Sequence, residues 1–195
     1  MGETVIQVSS LGKRIKGKTI LEDISFEINK GDCVALIGPN GAGKTVLMSC
    51  ILGDKKPSSG QVLIDGKAGK AKNQIAVLLQ ENTIPNSLKV EELIAFFQSI
   101  SDNPLTNQEV QDLLQFKEDQ YQQFADKLSG GQRRLLAFVL CLIDKPKILF
   151  LDEPTAGMDT STRQRFWEIV NDLKKSGTTI LYSSHYIEEV EHTAD

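Results

Sequence analysis

The chain has 195 residues, with 22 Lys and Arg against 26 Asp and Glu and a net charge of −4. This length suits one α/β domain with a sizeable core, and the charge gives no reason to propose nucleic acid as a partner. No apolar run approaches the length of a bilayer span and no charged-then-apolar segment opens the chain, so work at a membrane would need another polypeptide to do the crossing.

In chain order, Val5 to Val8 and Ile24 to Ile28 predict early strands. In the second, Ile24, Phe26 and Ile28 alternate with Ser25 and Glu27, the pattern of a strand with one wet face. Lys13, Arg14, Lys16 and Lys18 between them read as a solvated basic loop. Val34-Ala35-Leu36-Ile37 is a continuous apolar run, as for a strand buried on both faces. Thr45 to Leu52 predicts a helix that Gly53 ends, and Pro57 to Gly60 a turn. Val62 to Ile64 and Ile75 to Leu79 follow as strands. From about 81 to 127 the chain becomes rich in Gln, Asn, Asp and Glu with helical spacing of apolar residues. Thr106-Asn107-Gln108-Glu109 has the form of a capping box. Strands return at Ile148 to Leu151 and Thr179 to Tyr182. Between them Phe166, Val170 and Leu173 mark a helix stopped by Lys174, Lys175 and Gly177. Cys33, Cys50 and Cys141 are widely spaced and form no Cys-x-x-Cys pair. With two histidines in the chain, this argues against a zinc site or disulfide framework and fits a reducing cytoplasm.

The chemistry concentrates in a few segments. Gly38-Pro39-Asn40-Gly41-Ala42-Gly43-Lys44-Thr45 fits G-x-x-x-x-G-K-[ST] between a predicted strand and a predicted helix. Glycines let backbone N–H groups approach phosphate oxygens, and the helix N-terminus adds its dipole. Lys44 is placed to reach the β- and γ-phosphates and the Thr45 hydroxyl to hold Mg²⁺. Ile148 to Leu151 then delivers Asp152 to a strand end, where a metal would compensate a buried carboxylate. Glu153, next in sequence, is placed to polarise a water for in-line attack on a γ-phosphate.

Leu128-Ser129-Gly130-Gly131-Gln132 could be no more than a Ser-capped helix start with a Gly-Gly turn. It matches, however, the signature motif of the ATP-binding cassette (ABC) ATPases, and the chain resembles that family over essentially its whole length. The resemblance implies a P-loop NTPase α/β fold with a mainly parallel central sheet, an N-terminal antiparallel β subdomain and an inserted helical subdomain. Residues 1–80 and 128–195 would form the nucleotide-binding core of a single domain, and about 81–127 the helical part. It implies ATP and Mg²⁺ as ligands. It also implies a head-to-tail pair of cassettes, in which Ser129, Gly130, Gly131 and Gln132 of one meet the γ-phosphate held by the other. Gln80 matches the glutamine that touches Mg²⁺ or the attacking water, His185 the switch histidine, and Asp159 the aspartate of the dimer interface.

Three positions depart from the family. Ile15 stands where many cassettes stack an aromatic ring on adenine, which implies loose base selectivity. Val46 replaces a usual Thr or Ser, removing a hydroxyl near the α-phosphate. The chain stops at Thr193-Ala194-Asp195, where relatives continue with a strand pair, so the final strands are expected to be missing and a sheet edge left unpaired. The resemblance favours the ATPase subunit of a transporter, at the cytoplasmic face of a membrane beside an integral transmembrane subunit, with export preferred. The alternative is a soluble ABC ATPase such as a cluster-assembly or regulatory ATPase.

Overall fold

A computed structural model describes residues 2–67, 75–81, 84–85, 87–186 and 189. The chain end at 193–195 lies outside them. Strands β1 (Thr4–Ile15) and β2 (Lys18–Asn29) form an antiparallel hairpin, and β4 (Ser59–Ile64) pairs with the other edge of β1, giving the order β2-β1-β4. A second sheet is all parallel, in the order β3-β7-β6-β5, from β3 (Cys33–Ile37), β7 (Thr179–Ser184), β6 (Ile148–Leu151) and β5 (Ile75–Leu78). Helix α1 (Lys44–Ile51) follows β3. Helices α2 (Val90–Ser99), α3 (Asn107–Leu114) and α4 (Glu118–Gln122) fill the polar stretch, then come α5 (Gly130–Leu142) and α6 (Thr160–Lys175).

Period-2 geometry in the parallel sheet splits the core in two. Ile148, Phe150 and Leu181 face α1 and the antiparallel sheet, joining Ile6, Leu11, Ile28, Leu47 and Ile51. Leu149, Leu151, Ile180 and Tyr182 face the other way, onto Leu136, Phe138, Phe166 and Val170 of α5 and α6. Every residue of β6 and β7 is buried, as parallel strands covered on both faces should be. Complete burial of side chains of this size contributes about 1.5–3 kcal/mol each.

The early strands at Val5 to Val8 and Ile24 to Ile28, the helical stretch, the Thr106 capping box and the stop of α6 agree with the sequence. Thr106 N donates to Glu109 Oε2 (2.7 Å) and Glu109 N to Thr106 Oγ1 (3.2 Å). The first of these, from the Thr106 backbone N–H to the carboxylate, is the main cause that holds the Glu109 carboxyl below the usual range. Thr178 N reaches back to Leu173 O (3.0 Å).

Two expectations are corrected. The basic segment is no loose loop: Lys13 and Arg14 lie in β1, Lys18 begins β2, and Lys16-Gly17 forms the tight turn between them. Both turn residues have positive φ, 50° and 79°, which suits a two-residue hairpin whose twist matches its strands. And β3 is not buried on both faces. It ends the order of the described sheet, with β7 as its neighbour, so Cys33 is buried, Val34 to Leu36 are half-buried and Ile37 is 53 % exposed.

Candidate active site

The Gly38–Thr45 turn connects the C-terminal end of β3 to the N-terminus of α1. Gly41 and Gly43 have φ of 81° and 96°. At Gly43 a Cβ would stand 3.0 Å from Leu21 Cδ2 and 3.3 Å from Ile20 Cγ2, so the hairpin presses on the loop at the one residue that can take it. Gly43 caps α1 without a side chain. The N–H groups of the first turn therefore have no partner in the helix or its cap. They open onto a cavity of about 400 Å³ lined by Ile20, Asn40, Gly41, Lys44, Thr45, Gln80 and Glu153, with Gly43 and Val46 beneath.

Lys44 Nζ donates to Gly38 O (2.6 Å) and Pro39 O (3.1 Å), and stands 3.8 Å from Glu153 Oε1. On the other carboxylate oxygen, Gln80 Nε2 donates at 3.4 Å and His185 Nδ1 stands at 3.7 Å. The Glu153 carboxylate is thus the point where the loop, the segment after β5, the segment after β6 and the segment after β7 converge. Parallel strands produce this directly, because their C-terminal ends lie along one edge of the sheet.

Asp152 is buried beside it. Its Oδ1 accepts from Ser183 Oγ (2.6 Å), and that same oxygen of Ser183 accepts from Glu153 N (2.8 Å). Glu153 itself has φ 45°, a left-handed backbone that costs a non-glycine residue of order 1–2 kcal/mol. Ser183, one residue before the end of β7, fixes both members of the acidic pair. The oxygen donors here, the Thr45 hydroxyl, the Asp152 carboxylate and the Gln80 amide, have the hard chemistry that Mg²⁺ takes. The described residues hold no group of three or more His, Cys, Asp and Glu side chains fit for a metal.

A second cluster lies apart from this cavity. Ser129 caps α5: its Oγ accepts from Gln132 N (3.2 Å) and its N–H donates to Gln132 Oε1 (3.1 Å). Gly131 is buried, and a Cβ there would stand 3.1 Å from Asp159 Oδ2 and 3.3 Å from Met158 Cα. Asp159 caps α6, accepting from Thr162 N (3.0 Å), Ser161 Oγ (2.6 Å) and Thr162 Oγ1 (2.7 Å). Those bonds, the Ser161 hydroxyl foremost, hold its carboxyl far below the usual range. Ser129 to Gln132 and Asp159 are thus brought together, but none of them lines the cavity beside Lys44. Nor does Ile15, at the end of β1. The aliphatic wall of the cavity is Ile20, on the paired strand.

Sequence reading missed Ile20, Ser183 and Arg134. The Arg134 guanidinium is buried and donates to main-chain carbonyls of both segments that flank Glu153. No helical-wheel signal marks it, because α5 is buried all round from Arg134 to Leu140.

A strand running into a glycine-rich turn and a helix, with an acidic pair at the end of a second strand of the same parallel sheet, defines the P-loop nucleotide-binding class. Within it the chain belongs to the ABC transporter family, whose pattern matches residues 21–156. Over 98 % of its length it is 34 % identical to the Nod factor export ATP-binding protein I of Ralstonia nicotianae. Over the same share it is 33 % identical to the linearmycin resistance ATP-binding protein of Bacillus subtilis. It spans 62 % and 64 % of those two proteins. Among solved structures, an ATP-binding subunit of an ABC transporter superposes on 98 % of this chain and 84 % of its own, with a TM-score of 0.83 at 26 % identity. The structure of cbiO1 from Clostridium perfringens, part of an ABC transporter complex, covers 99 % of this chain and 83 % of its own, with a TM-score of 0.82 at 26 % identity.

Proposed function

We propose that this chain is the ATP-hydrolysing subunit of an ABC exporter, driving a separate transmembrane subunit from the cytoplasmic face of a membrane. The observation that carries the reading is the Glu153 carboxylate, held within 4 Å of Lys44, Gln80 and His185 at the mouth of the phosphate-type loop. No helix among the described residues is long and apolar enough to cross a membrane. Export is favoured because relatives similar over nearly the whole chain are named for Nod factor export and linearmycin resistance.

The phosphates of ATP would lie against the α1 N-terminus, with the Lys44 ammonium turning from the loop carbonyls to the β- and γ-phosphates. Glu153 would accept a hydrogen bond from the attacking water and orient it in line. Gln80 would fix that water from one side and His185 would meet the γ-phosphate from the other. Thr45, Asp152 and Gln80 are the residues that would hold Mg²⁺, which when bound neutralises charge on the β- and γ-phosphate oxygens. Ser129 and Gly131, outside the cavity of their own chain, would be offered to the γ-phosphate of a second cassette.

Glu153→Gln keeps the shape of the side chain and removes its basicity. Turnover should fall by about 10²–10⁴-fold while ATP still binds, and ATP should trap a dimer in size-exclusion chromatography. Full turnover in this variant would remove Glu153 from the chemistry. Purification of the tagged protein from its native membranes in mild detergent should bring a polytopic membrane protein in near-stoichiometric amount. Recovery with soluble assemblies alone would move the reading to a soluble ATPase.

A further inference from the structure

Arg134 uses every N–H it has. Nε donates to Pro154 O (3.1 Å). One terminal nitrogen donates to Leu79 O and to Gln80 O (3.1 Å), and the other to Asp152 O (3.0 Å) and Glu153 O (3.4 Å). A guanidinium has five donors in a planar fork, and here five carbonyls receive them. The carbonyls belong to two chain segments, the exits of β5 and β6. These strands are parallel neighbours, and their ladder reaches Asp152 N, which donates to Leu78 O (2.9 Å). Beyond that bond the two segments diverge, one carrying Gln80 and the other Asp152 and Glu153. The guanidinium occupies the fork and replaces the ladder with its own bonds.

The charge is almost wholly removed from water, and burial lowers the affinity of the group for its proton. Carbonyl dipoles, rather than a carboxylate, receive all five of its hydrogen bonds. Such a site fixes geometry, because a buried carbonyl in this fork left without its donor is costly. The backbone it grips includes the left-handed Glu153, which needs outside restraint to persist. Arg134 also lies on the first turns of α5, the helix that begins at Ser129.

We propose that Arg134 is a positioning residue for hydrolysis: it locks the Gln80 segment and the Asp152-Glu153 turn to each other and to the Ser129 helix. The proposal rests on the ATPase reading above. Its loss should impair the placing of water and base while leaving phosphate binding at the α1 N-terminus intact. A general contribution to stability would not separate the two.

The test compares Arg134→Met and Arg134→Lys in the full chain, measuring ATP turnover, the Kd for MgATP and the melting temperature, with wild type and Glu153→Gln alongside. In Arg134→Met, kcat should fall about 100-fold, the size expected for a misplacement near 1 Å, with Kd within about 3-fold of wild type. Arg134→Lys keeps the charge and three donors, so it should recover part of kcat and remain folded if the Met variant does not. Unchanged kcat in a folded Met variant, or a Kd that weakens in step with kcat in the Lys variant, overturns the proposal alone. Full turnover by Glu153→Gln overturns the ATPase reading, and the proposal with it.

Discussion

Helices α1 and α5 both begin at glycine-rich turns, yet their ends are finished in opposite ways. The α1 end has Gly43 as its cap, no side-chain bond, and N–H groups opening onto a cavity beside Lys44. The α5 end is closed on itself by Ser129 and Gln132 and packs Gly131 against Asp159. An uncapped helix end is unfavourable until an anion arrives. A capped end is stable alone, and the Ser129 hydroxyl, which accepts from Gln132, still has a proton to donate. One end is built to receive a ligand within the chain, and the other can be presented to a second molecule.

The most damaging way to break this contrast is at α1. Gly43→Ala forces a Cβ onto a φ of 96° and against Ile20 and Leu21. Nucleotide affinity should fall by at least about 100-fold, and stability by about 1–3 kcal/mol, read by titration with ATP and by urea unfolding. Retained affinity would mean that the loop does not need its present shape.

Ser129→Ala sharpens the contrast. It removes the cap of α5, for about 1 kcal/mol of stability, and the hydroxyl proposed for a second cassette. Turnover should drop about 10-fold or more, while ATP affinity measured on dilute monomer stays as in wild type. Equal loss of both would place Ser129 in its own chain's site.

The smallest effect belongs to the third capped end, α6. The Asp159 carboxyl is held below its ordinary pKa by Ser161 and Thr162, so its stabilisation is complete above the unfolded value, about pH 4, and fades as pH falls towards the folded value. Asp159→Ala should therefore melt lower than wild type near neutrality, with the gap narrowing as pH falls below about 4. A gap that stays constant through that window would show that the cap acts without its charge.

What could be read from sequence follows from how local each feature is. The α1 end is legible because its loop, lysine and helix are consecutive residues, and the Thr106 cap because its partners lie three apart. Asp152 and Glu153 announce themselves after four buried apolar residues. Ser183 and Arg134 do not, because their partners lie on other strands and are chosen by strand order. The same order leaves β3 at an end of the described sheet, which its apolar run could not reveal. Ile20 rather than Ile15 reaches the cavity because hairpin register sets which side chain faces the loop, and the basic composition of that stretch concealed the hairpin.

Glu153 occupies a backbone conformation that asparagine or glycine would adopt more readily. A search for variants of this protein by thermal resistance alone would therefore tend to discard the residue that the proposed chemistry requires. Under the proposed chemistry, resistance to heat and rate of turnover would pull this position in opposite directions, and its glutamate would be kept by what the molecule does rather than by how well it folds.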